Sequence, residues 1–353
     1  MGEKRRNCRK KGEDPCEIFP DIRNFQSPRV GGINFYQCGD GVPAHYAVLG
    51  QPRRRFMKKA LIMVCVLLFV QPLYAQSAKD ILKQKTESQL QNIVNSSPFL
   101  TGMMAVDLTT GDSFAINQEI IFAQASAIKI PILMEVYKQA KENKFVLTDT
   151  RPLLSTNTVA GSGILKAMVD PISLSIRNYC MMMIGLSDNS ATNTLIDLVG
   201  FKNINNTMQS LGFKKTRVQR KMIDQPASLR NEENISTPDE AVKILKLLYS
   251  GMFIDKATSD EILSTLQKNP VENSKLAKGI PSEVKIAFKS GGMGGVSTEW
   301  GVVYLAKRPY AVAVMENYKA GSEPEDVISN ISKTLYGYYS TIAKATNYGV
   351  ILE

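Results

Sequence analysis

Serine and lysine side chains that could form a nucleophilic centre lie in three short motifs of this 353-residue chain. The motifs are Ser-Ala-Ile-Lys at 126–129, Ser-Asp-Asn at 187–189 and Lys-Ser-Gly-Gly at 289–292. The only histidine, His45, lies far upstream of all three, in a stretch that we do not expect in the folded protein. Hydrolytic chemistry here would therefore have to depend on serine activated by lysine.

The first motif pairs a hydroxyl with an amine one helical turn away. Ser126 is expected to open a helix, and Lys129 follows three residues later on the same face. A serine hydroxyl needs a base to take its proton, and a lysine amine can serve when burial lowers its pKa. The helix start also offers backbone N–H groups to an oxyanion. By itself, the pattern also fits an ordinary helix.

The second motif supplies another hydroxyl and an amide just after a long apolar segment. Ser187 could pass a proton to a leaving amine, and the side chain of Asn189 could bind a substrate carbonyl. The alternative for this motif is a simple helix cap, a place where Asp and Asn are common.

The third motif is expected to end a strand and to bind a substrate carboxylate. The cation of Lys289 and the hydroxyl of Ser290 could both contact that group. The Gly292 N–H could donate to the oxyanion, since glycines permit a close backbone approach. The alternative is a glycine-rich hairpin end with a solvated lysine.

The stretch 57–75 is typical of a secretory signal peptide. Its positive start is followed by the apolar run Ala60–Val70 and by the small residue Ala75 at the exit. A membrane-spanning helix needs roughly 20 apolar residues, so no stable membrane anchor is expected. We therefore expect a secreted or periplasmic protein whose mature chain begins at Gln76.

Residues 1–56 precede this signal, where a secretory signal has little use, and we interpret them as a spurious or disordered upstream extension. A basic nucleic-acid or membrane-binding arm is the alternative. Residues 1–75 hold 13 Lys+Arg against 6 Asp+Glu, whereas 76–353 hold 30 against 27. The basic charge thus belongs mostly to the upstream part, and no nucleic-acid partner is expected.

The mature region contains one cysteine, Cys180, within an apolar run, and no histidine. An internal disulfide cannot form from a single cysteine, and the usual zinc sites cannot be assembled. We expect Cys180 to be a buried filler, and we expect neither a metal nor a cofactor.

The pattern of elements predicts an α+β fold. An antiparallel sheet is expected between N- and C-terminal helices, with an all-helical insert between its halves. We expect 76–125 and 269–353 to form the α/β subdomain and 126–268 the helical one. The expected helices are 78–96, 126–142, 173–185, 190–199, 238–250, 258–268 and 324–344, and the expected strands are 100–107, 113–117, 284–290, 299–307 and 310–316.

Together, the motifs and their order resemble the class A β-lactamases and the related penicillin-binding proteins. The resemblance extends over essentially all of 76–353. It implies that Ser126 is acylated, that Lys129 is its base, and that Lys289 binds the substrate carboxylate, with Ser187 and Asn189 completing the site. The stretch 161–165, Gly-Ser-Gly-Ile-Leu, also resembles a branch described broadly as serine hydrolases.

The chain departs from that family at two positions. Class A β-lactamases carry a loop glutamate that activates the deacylating water, and Met222 stands in its place here. Asp224, two residues further on, is a candidate substitute or an ordinary loop carboxylate. Trp300 precedes Gly301 where many of these enzymes have an arginine, and it would either line the pocket or pack as a core aromatic.

These observations predict a monomeric serine hydrolase that forms an acyl-enzyme through Ser126. The leading expectation for its substrate is a β-lactam. The alternatives are a DD-peptidase or esterase acting on a cell-wall peptide or small ester, and a penicillin-binding protein that releases product slowly and acts as a sink or sensor.

Overall fold

The computed structural model describes residues 77–320, 326–346 and 348–351, which all belong to one unit, Tyr74–Glu353. The expected upstream extension 1–56 and signal segment 57–75 lie outside the described residues. No helix in the described ranges is long and apolar enough to cross a bilayer.

The described chain combines helices with an antiparallel sheet, as predicted for the α+β class. The helices are α1 (Ala78–Ser96), α2 (Lys129–Lys141), α3 (Ile176–Gly185), α4 (Asn189–Val199), α5 (Phe201–Ser210), α6 (Gln225–Leu229), α7 (Pro238–Tyr249), α8 (Lys256–Leu266), α9 (Lys275–Lys278) and α10 (Val327–Lys344). The strands are β1 (Leu100–Asp107), β2 (Ser113–Ile116), β3 (Phe122–Ala123), β4 (Thr150–Pro152), β5 (Ser173–Ser175), β6 (Ile235–Ser236), β7 (Ile286–Met293), β8 (Val296–Val303) and β9 (Tyr310–Asn317).

The main sheet has five antiparallel strands in the order β2-β1-β9-β8-β7. β7, β8 and β9 follow one another as hairpins. β9 is the central strand of the sheet and pairs with β8 on one side and with β1 on the other. The strands before and after the helical segment thus share one sheet. β3 pairs with β6 and β4 with β5 in two small sheets.

The two faces of the main sheet cover two hydrophobic cores, and the alternation along β9 shows why. Val312 and Val314 lie in the core beneath α1 and α10, whereas Ala311, Ala313 and Met315 lie in the core shared with the helical segment. Successive strand residues point to opposite faces, so one buried strand serves both layers. Both faces of the sheet are therefore covered by helices.

Side-chain caps fix where several helices begin. The Ser77 hydroxyl accepts from the Asp80 N–H and the Asp80 carboxylate accepts from the Ser77 N–H, which forms a capping box at α1. Thr237 caps α7 ahead of Pro238. Gly200 ends α4 with a φ of 81°.

The structure differs from the local predictions in several places, and the following differences matter for the site and the core. The helix expected from 173 begins at Ile176, because Ser173–Ser175 pairs with β4. α5 was not predicted: its sequence is rich in Asn and Lys, and it is held by Ile204 and Met208, which are buried. The segment expected to begin a helix at 126 is instead a 3-10 turn, Ala125–Ile128, that leads into α2.

Candidate active site

The turn that presents Ser126 is built between buried neighbours. Ala125 has a φ of 44°, a left-handed conformation that residues with a Cβ seldom adopt. Ala127 and Ile128 are fully buried, whereas Ser126, the second residue of the turn, is half-buried. The turn therefore fixes the backbone at Ser126 and leaves its side chain in reach of solvent.

Lys129 lies at the first position of α2 and is wholly buried. Its Nζ donates to the carbonyl oxygen of Ser187 at 2.7 Å, to Ser187 Oγ at 3.1 Å and to Asn189 Oδ1 at 3.1 Å. The first two motifs are thus joined directly through one amine.

Burial lowers the pKa of Lys129 well below its usual range. The nearby Lys289 cation lowers this pKa further, whereas Asp188 opposes the shift. A neutral amine can take a proton, so these surroundings favour the form of Lys129 that acts as a base.

The second motif is fixed by its central residue. Asp188 is buried and caps α4, with Oδ1 accepting from the Ala191 N–H at 2.9 Å and Oδ2 from the Leu165 N–H at 2.9 Å. Ser187, directly before it, has a φ of 52°. The helix-cap alternative is therefore correct for Asp188, while its neighbours Ser187 and Asn189 remain available to Lys129.

A glycine-containing loop packs against this motif. The Asn189 N–H donates to the Ser162 carbonyl at 3.1 Å, and Asn189 Nδ2 donates to the Ala160 carbonyl at 3.2 Å. A Cβ on Gly161 would lie 2.6 Å from Asn189 Nδ2, and one on Gly163 would collide with the Asp188 side chain. Glycine is needed at both positions because the loop lies against the motif.

The third motif lies within β7 rather than at its end, since β7 continues to Met293. Lys289 is 1% exposed, and its Nζ donates to the Ser290 carbonyl at 2.9 Å. Burial lowers the pKa of Lys289 to about 8, and the buried carboxylate of Glu299 opposes this shift. The alternative of a solvated lysine is therefore not what the structure shows.

β7 lies directly against the Ser126 turn. A Cβ on Gly291 would be 2.8 Å from the Ser126 nitrogen and 2.7 Å from the Ala127 nitrogen. Gly292, the next residue, is exposed and has no atoms near its Cβ direction. Since the two segments touch, the backbone at Gly292 and that at Ser126 lie along one edge of the site.

Glu299 is a buried acid beside the third motif that the sequence did not single out. It pairs with Ser290 across β7 and β8 and accepts from the Lys275 N–H at 2.9 Å and from the Ser274 hydroxyl. Burial raises the pKa of Glu299 to about 7, against these hydrogen bonds. The carboxyl thus fixes the start of α9 and adds a charge that acts on Lys289.

Met222 lies in the loop 220–233. Hydrogen bonds to the Met222 backbone and an ion pair of Arg220 hold this loop in place. The Asn193 side chain binds the backbone of Met222. Its Oδ1 accepts from the Met222 N–H at 2.8 Å, and its Nδ2 donates to the Met222 carbonyl at 3.3 Å. Arg220 pairs with Glu233 across the loop at 2.8 Å, and both side chains are largely buried. The Met222 side chain is itself buried.

Asp224 caps α6, and its Oδ1 accepts from the Ala227 N–H at 3.1 Å. It lines a cavity of about 550 Å³ between the loop 220–233 and the turn between β7 and β8. None of Ser126, Lys129 and Lys289 lines this cavity. The structure therefore gives Asp224 a structural contact and does not place it among the three motifs.

Trp300 does not line the pocket; it is completely buried. It lies across from Lys289 in the register of β7 and β8, and its Nε1 donates to Gln124 Oε1 at 3.0 Å. The core alternative is the correct one for Trp300. Its partner Gln124 immediately precedes the Ser126 turn and carried no recognisable signal in the sequence.

Comparison with known proteins agrees with this arrangement. Residues 85–339 match the model of the β-lactamase enzyme family. β-Lactamase ROB-1 of Haemophilus influenzae is 26% identical over 247 residues, covering 68% of this chain and 78% of that protein. β-Lactamase VEB-1 of Pseudomonas aeruginosa is 22% identical over 306 residues, covering 80% and 98%.

Solved structures share the fold. A β-lactamase from Sphaerobacter thermophilus superposes with a TM-score of 0.67 at 27% identity, over 73% of this chain and 97% of its own. PBP-A, solved as an acyl-enzyme complex with penicillin G, gives 0.67 at 23% identity, over 73% and 97%, and bears on the fold alone. The family match spans both the sheet and the helices that carry the three motifs, and this chain is an enzyme of the β-lactamase family.

Proposed function

We propose that this protein is a serine hydrolase that is acylated at Ser126 and acts on β-lactams. The observation that carries the proposal is the buried amine of Lys129, which donates to Ser187 Oγ at 3.1 Å and directly follows the Ser126 turn. A buried, pKa-lowered amine between two hydroxyl-bearing motifs is the arrangement that serine acylation without histidine requires.

In the proposed reaction, neutral Lys129 takes the proton of Ser126 as Oγ attacks the lactam carbonyl carbon. The N–H groups of Ser126 and Gly292 donate to the oxyanion that forms. The lactam C–N bond then breaks, and the proton reaches the leaving nitrogen through Lys129 and Ser187. These transfers leave an ester on Ser126 and a neutral N–H amine on the ring-opened acyl group, and they return Lys129 and Ser187 to their starting states.

The substrate carboxylate is assigned to Lys289 and Ser290. The Lys289 cation is desolvated by burial, which strengthens its attraction for an anion, and Ser290 can donate a hydrogen bond to the same group. Asn189 is assigned to the substrate's amide carbonyl. This set suits a small acylated substrate that ends in a carboxylate, which includes β-lactams and peptides ending in a free carboxyl group.

A second candidate function is favoured by Met222. A penicillin-binding protein that acylates and releases product slowly needs the three motifs but no base for water. Met222 provides no such base, and Asp224 is the acidic candidate two residues further on. A DD-peptidase or esterase would use the same serine with a different acyl donor.

The deciding experiment is intact-mass spectrometry over time after penicillin is added, with Ser126→Ala as control. A transient adduct accompanied by hydrolysed drug is the result expected of a β-lactamase. A persistent adduct would instead identify the slow-release protein or a peptidase. Absence of any adduct on the unaltered protein would reject both penicillin-based functions and leave the esterase or peptidase.

We further propose that the chain is exported through its segment 57–75 and that it works as a monomer. Within the folded part, 76–125 and 269–353 are assigned to one subdomain and 126–268 to the other, with the Ser126 turn at their junction. The two cores on opposite faces of the sheet support this division.

A further inference from the structure

The residue before the nucleophile turn is held on every polar atom. Gln124 is fully buried. Its N–H donates to the Asn234 carbonyl at 2.9 Å, its carbonyl accepts from Thr298 Oγ1 at 3.0 Å, and its Nε2 donates to the Phe122 carbonyl at 2.9 Å. The Trp300 indole completes the set by donating to Oε1 at 3.0 Å.

The hydrogen bonds of Gln124 matter because the next residue, Ala125, has a strained backbone. Ala125 follows Gln124 and has a φ of 44°, which costs on the order of 1 kcal/mol for a residue with a Cβ. A strained backbone persists only when its surroundings over-determine it. Gln124 anchors one side of Ala125, and the buried Ala127 and Ile128 anchor the other.

The donors to Gln124 come from the strand next to the third motif. In the register of β7 and β8, Trp300 pairs with Lys289 and Thr298 pairs with Gly291. Trp300 and Thr298 of β8 thus donate hydrogen bonds to Gln124. The same two residues pair across the sheet with Lys289 and with Gly291, the glycine that packs against Ser126. Lys289 and the Ser126 turn are held to one common strand.

We propose that Trp300 and Gln124 are positioning residues for Ser126: their buried hydrogen bond fixes the nucleophile turn relative to β7 and sets the rate of acylation. Neither side chain touches the substrate. The inference rests on the proposed acylation of Ser126. It assigns to the indole N–H a role in geometry, because small misplacements of a nucleophile are enough to slow a reaction.

The test is Trp300→Phe, which keeps an aromatic ring and removes the N–H. Adduct formation with a penicillin is followed against drug concentration, which separates the limiting acylation rate from the dissociation constant. We expect the limiting rate to fall about 10- to 100-fold, while the dissociation constant changes by less than about threefold. Equal rates in Trp300→Phe and the unaltered protein would overturn the inference.

Two further variants separate positioning from general destabilisation. Ser332→Ala removes a buried hydrogen bond to the Leu276 carbonyl, 2.7 Å long, in the other core, and we expect it to acylate at the normal rate. Gln124→Met in the Trp300→Phe background removes the unpaired oxygen. This variant also removes the Nε2 donor to the Phe122 carbonyl, so full recovery of the melting temperature is not required. We expect acylation to stay slow; an acylation rate that returns to normal would mean that the bond serves stability only.

Thr298→Val covers the case in which Trp300→Phe does not fold. It is nearly the same shape and removes the hydroxyl that donates to the Gln124 carbonyl. A slower limiting rate with an unchanged dissociation constant supports the inference, and an unchanged rate contradicts it. Failure of the unaltered protein to form an adduct would reject the proposed function itself, which distinguishes the two failures.

Discussion

The two lysines of the site share a buried environment but need opposite charge states. Lys129 must be neutral to take a proton, whereas Lys289 must be cationic to bind a carboxylate. Burial lowers the pKa of both, and Glu299 opposes the shift only at Lys289. Each amine thus has its own opposing carboxylate, Asp188 at Lys129 and Glu299 at Lys289, and the Lys289 cation lowers the pKa of Lys129 in addition. In the proposed reaction this difference leaves Lys129 as the base and Lys289 as the cation.

A pH dependence follows for Lys289. Its pKa of about 8 means that the cation predominates below that pH and is lost above it. We expect the second-order rate of acylation to fall as the pH rises through about 8. In Lys289→Arg this fall should vanish below about pH 10, because arginine stays protonated, even if its bulk lowers the rate overall. Stopped-flow rates across the pH range would check this, and an unchanged alkaline fall in the variant would contradict it.

In the proposed acyl-enzyme, Met222 supplies no carboxylate that could activate a water molecule. Met222→Glu would supply a carboxylate able to activate water, and we expect the adduct to decay at least about tenfold faster. Met222→Gln is the matched control, with the same length and no base. Time-resolved intact mass gives both decay rates, and equal rates for the two variants would contradict this prediction. Burying the carboxylate should also lower stability by about 1–3 kcal/mol.

At the scale of elements, β7 packs directly against the Ser126 turn. Gly291→Ala would place a Cβ 2.8 Å from the Ser126 nitrogen, so the strand and the turn must separate. We expect a loss of about 1–3 kcal/mol in unfolding free energy and at least about tenfold slower acylation. Gly294→Ala, whose Cβ direction is open, is the control and should change neither. Chemical unfolding and adduct kinetics measure both quantities.

The elements also show what the sequence could and could not predict. Local spacing predicted the strands of the main sheet and most helices, because periodicity and capping are local signals. The face on which Trp300 lies depends on the register of β8, and a pattern of residues in one strand cannot reveal that register. Gln124 is a lone polar residue beside apolar ones, and only its partners on β6, β8 and β9 explain it.

The absence of a glutamate at position 222 was visible from the sequence. Arg220 matches the arginine of the class A loop, and Met222 follows it at the position of the glutamate. The hydrogen bonds between the Asn193 side chain and the Met222 backbone could not be predicted, because they join residues far apart in the chain. The loop keeps this attachment although position 222 carries no glutamate. Under the proposed function, the groups assigned to acylation thus lie outside the loop that would serve deacylation.

At the scale of the whole molecule, the proposed export depends on the segment 57–75, which lies outside the described residues. We expect a chain begun at Met57 in a bacterial host to reach the periplasm and to be cleaved after Ala75. N-terminal sequencing of the exported product should then begin at Gln76. Replacing Lys58 and Lys59 by Glu should trap the precursor, because a signal peptide needs a positive start. An uncleaved product in the periplasm would contradict this prediction.

The way in which Asn193 holds Met222 also bears on how drug resistance could evolve. Asn193 bonds only to the backbone there, so selection can change the side chain without losing the loop's attachment. Methionine has one codon, and no single base change converts it to a glutamate codon. The shortest path passes through valine or lysine, and valine is the apolar intermediate that suits a buried position. A lineage under antibiotic pressure would thus cross a step with no gain before it acquires a catalytic base.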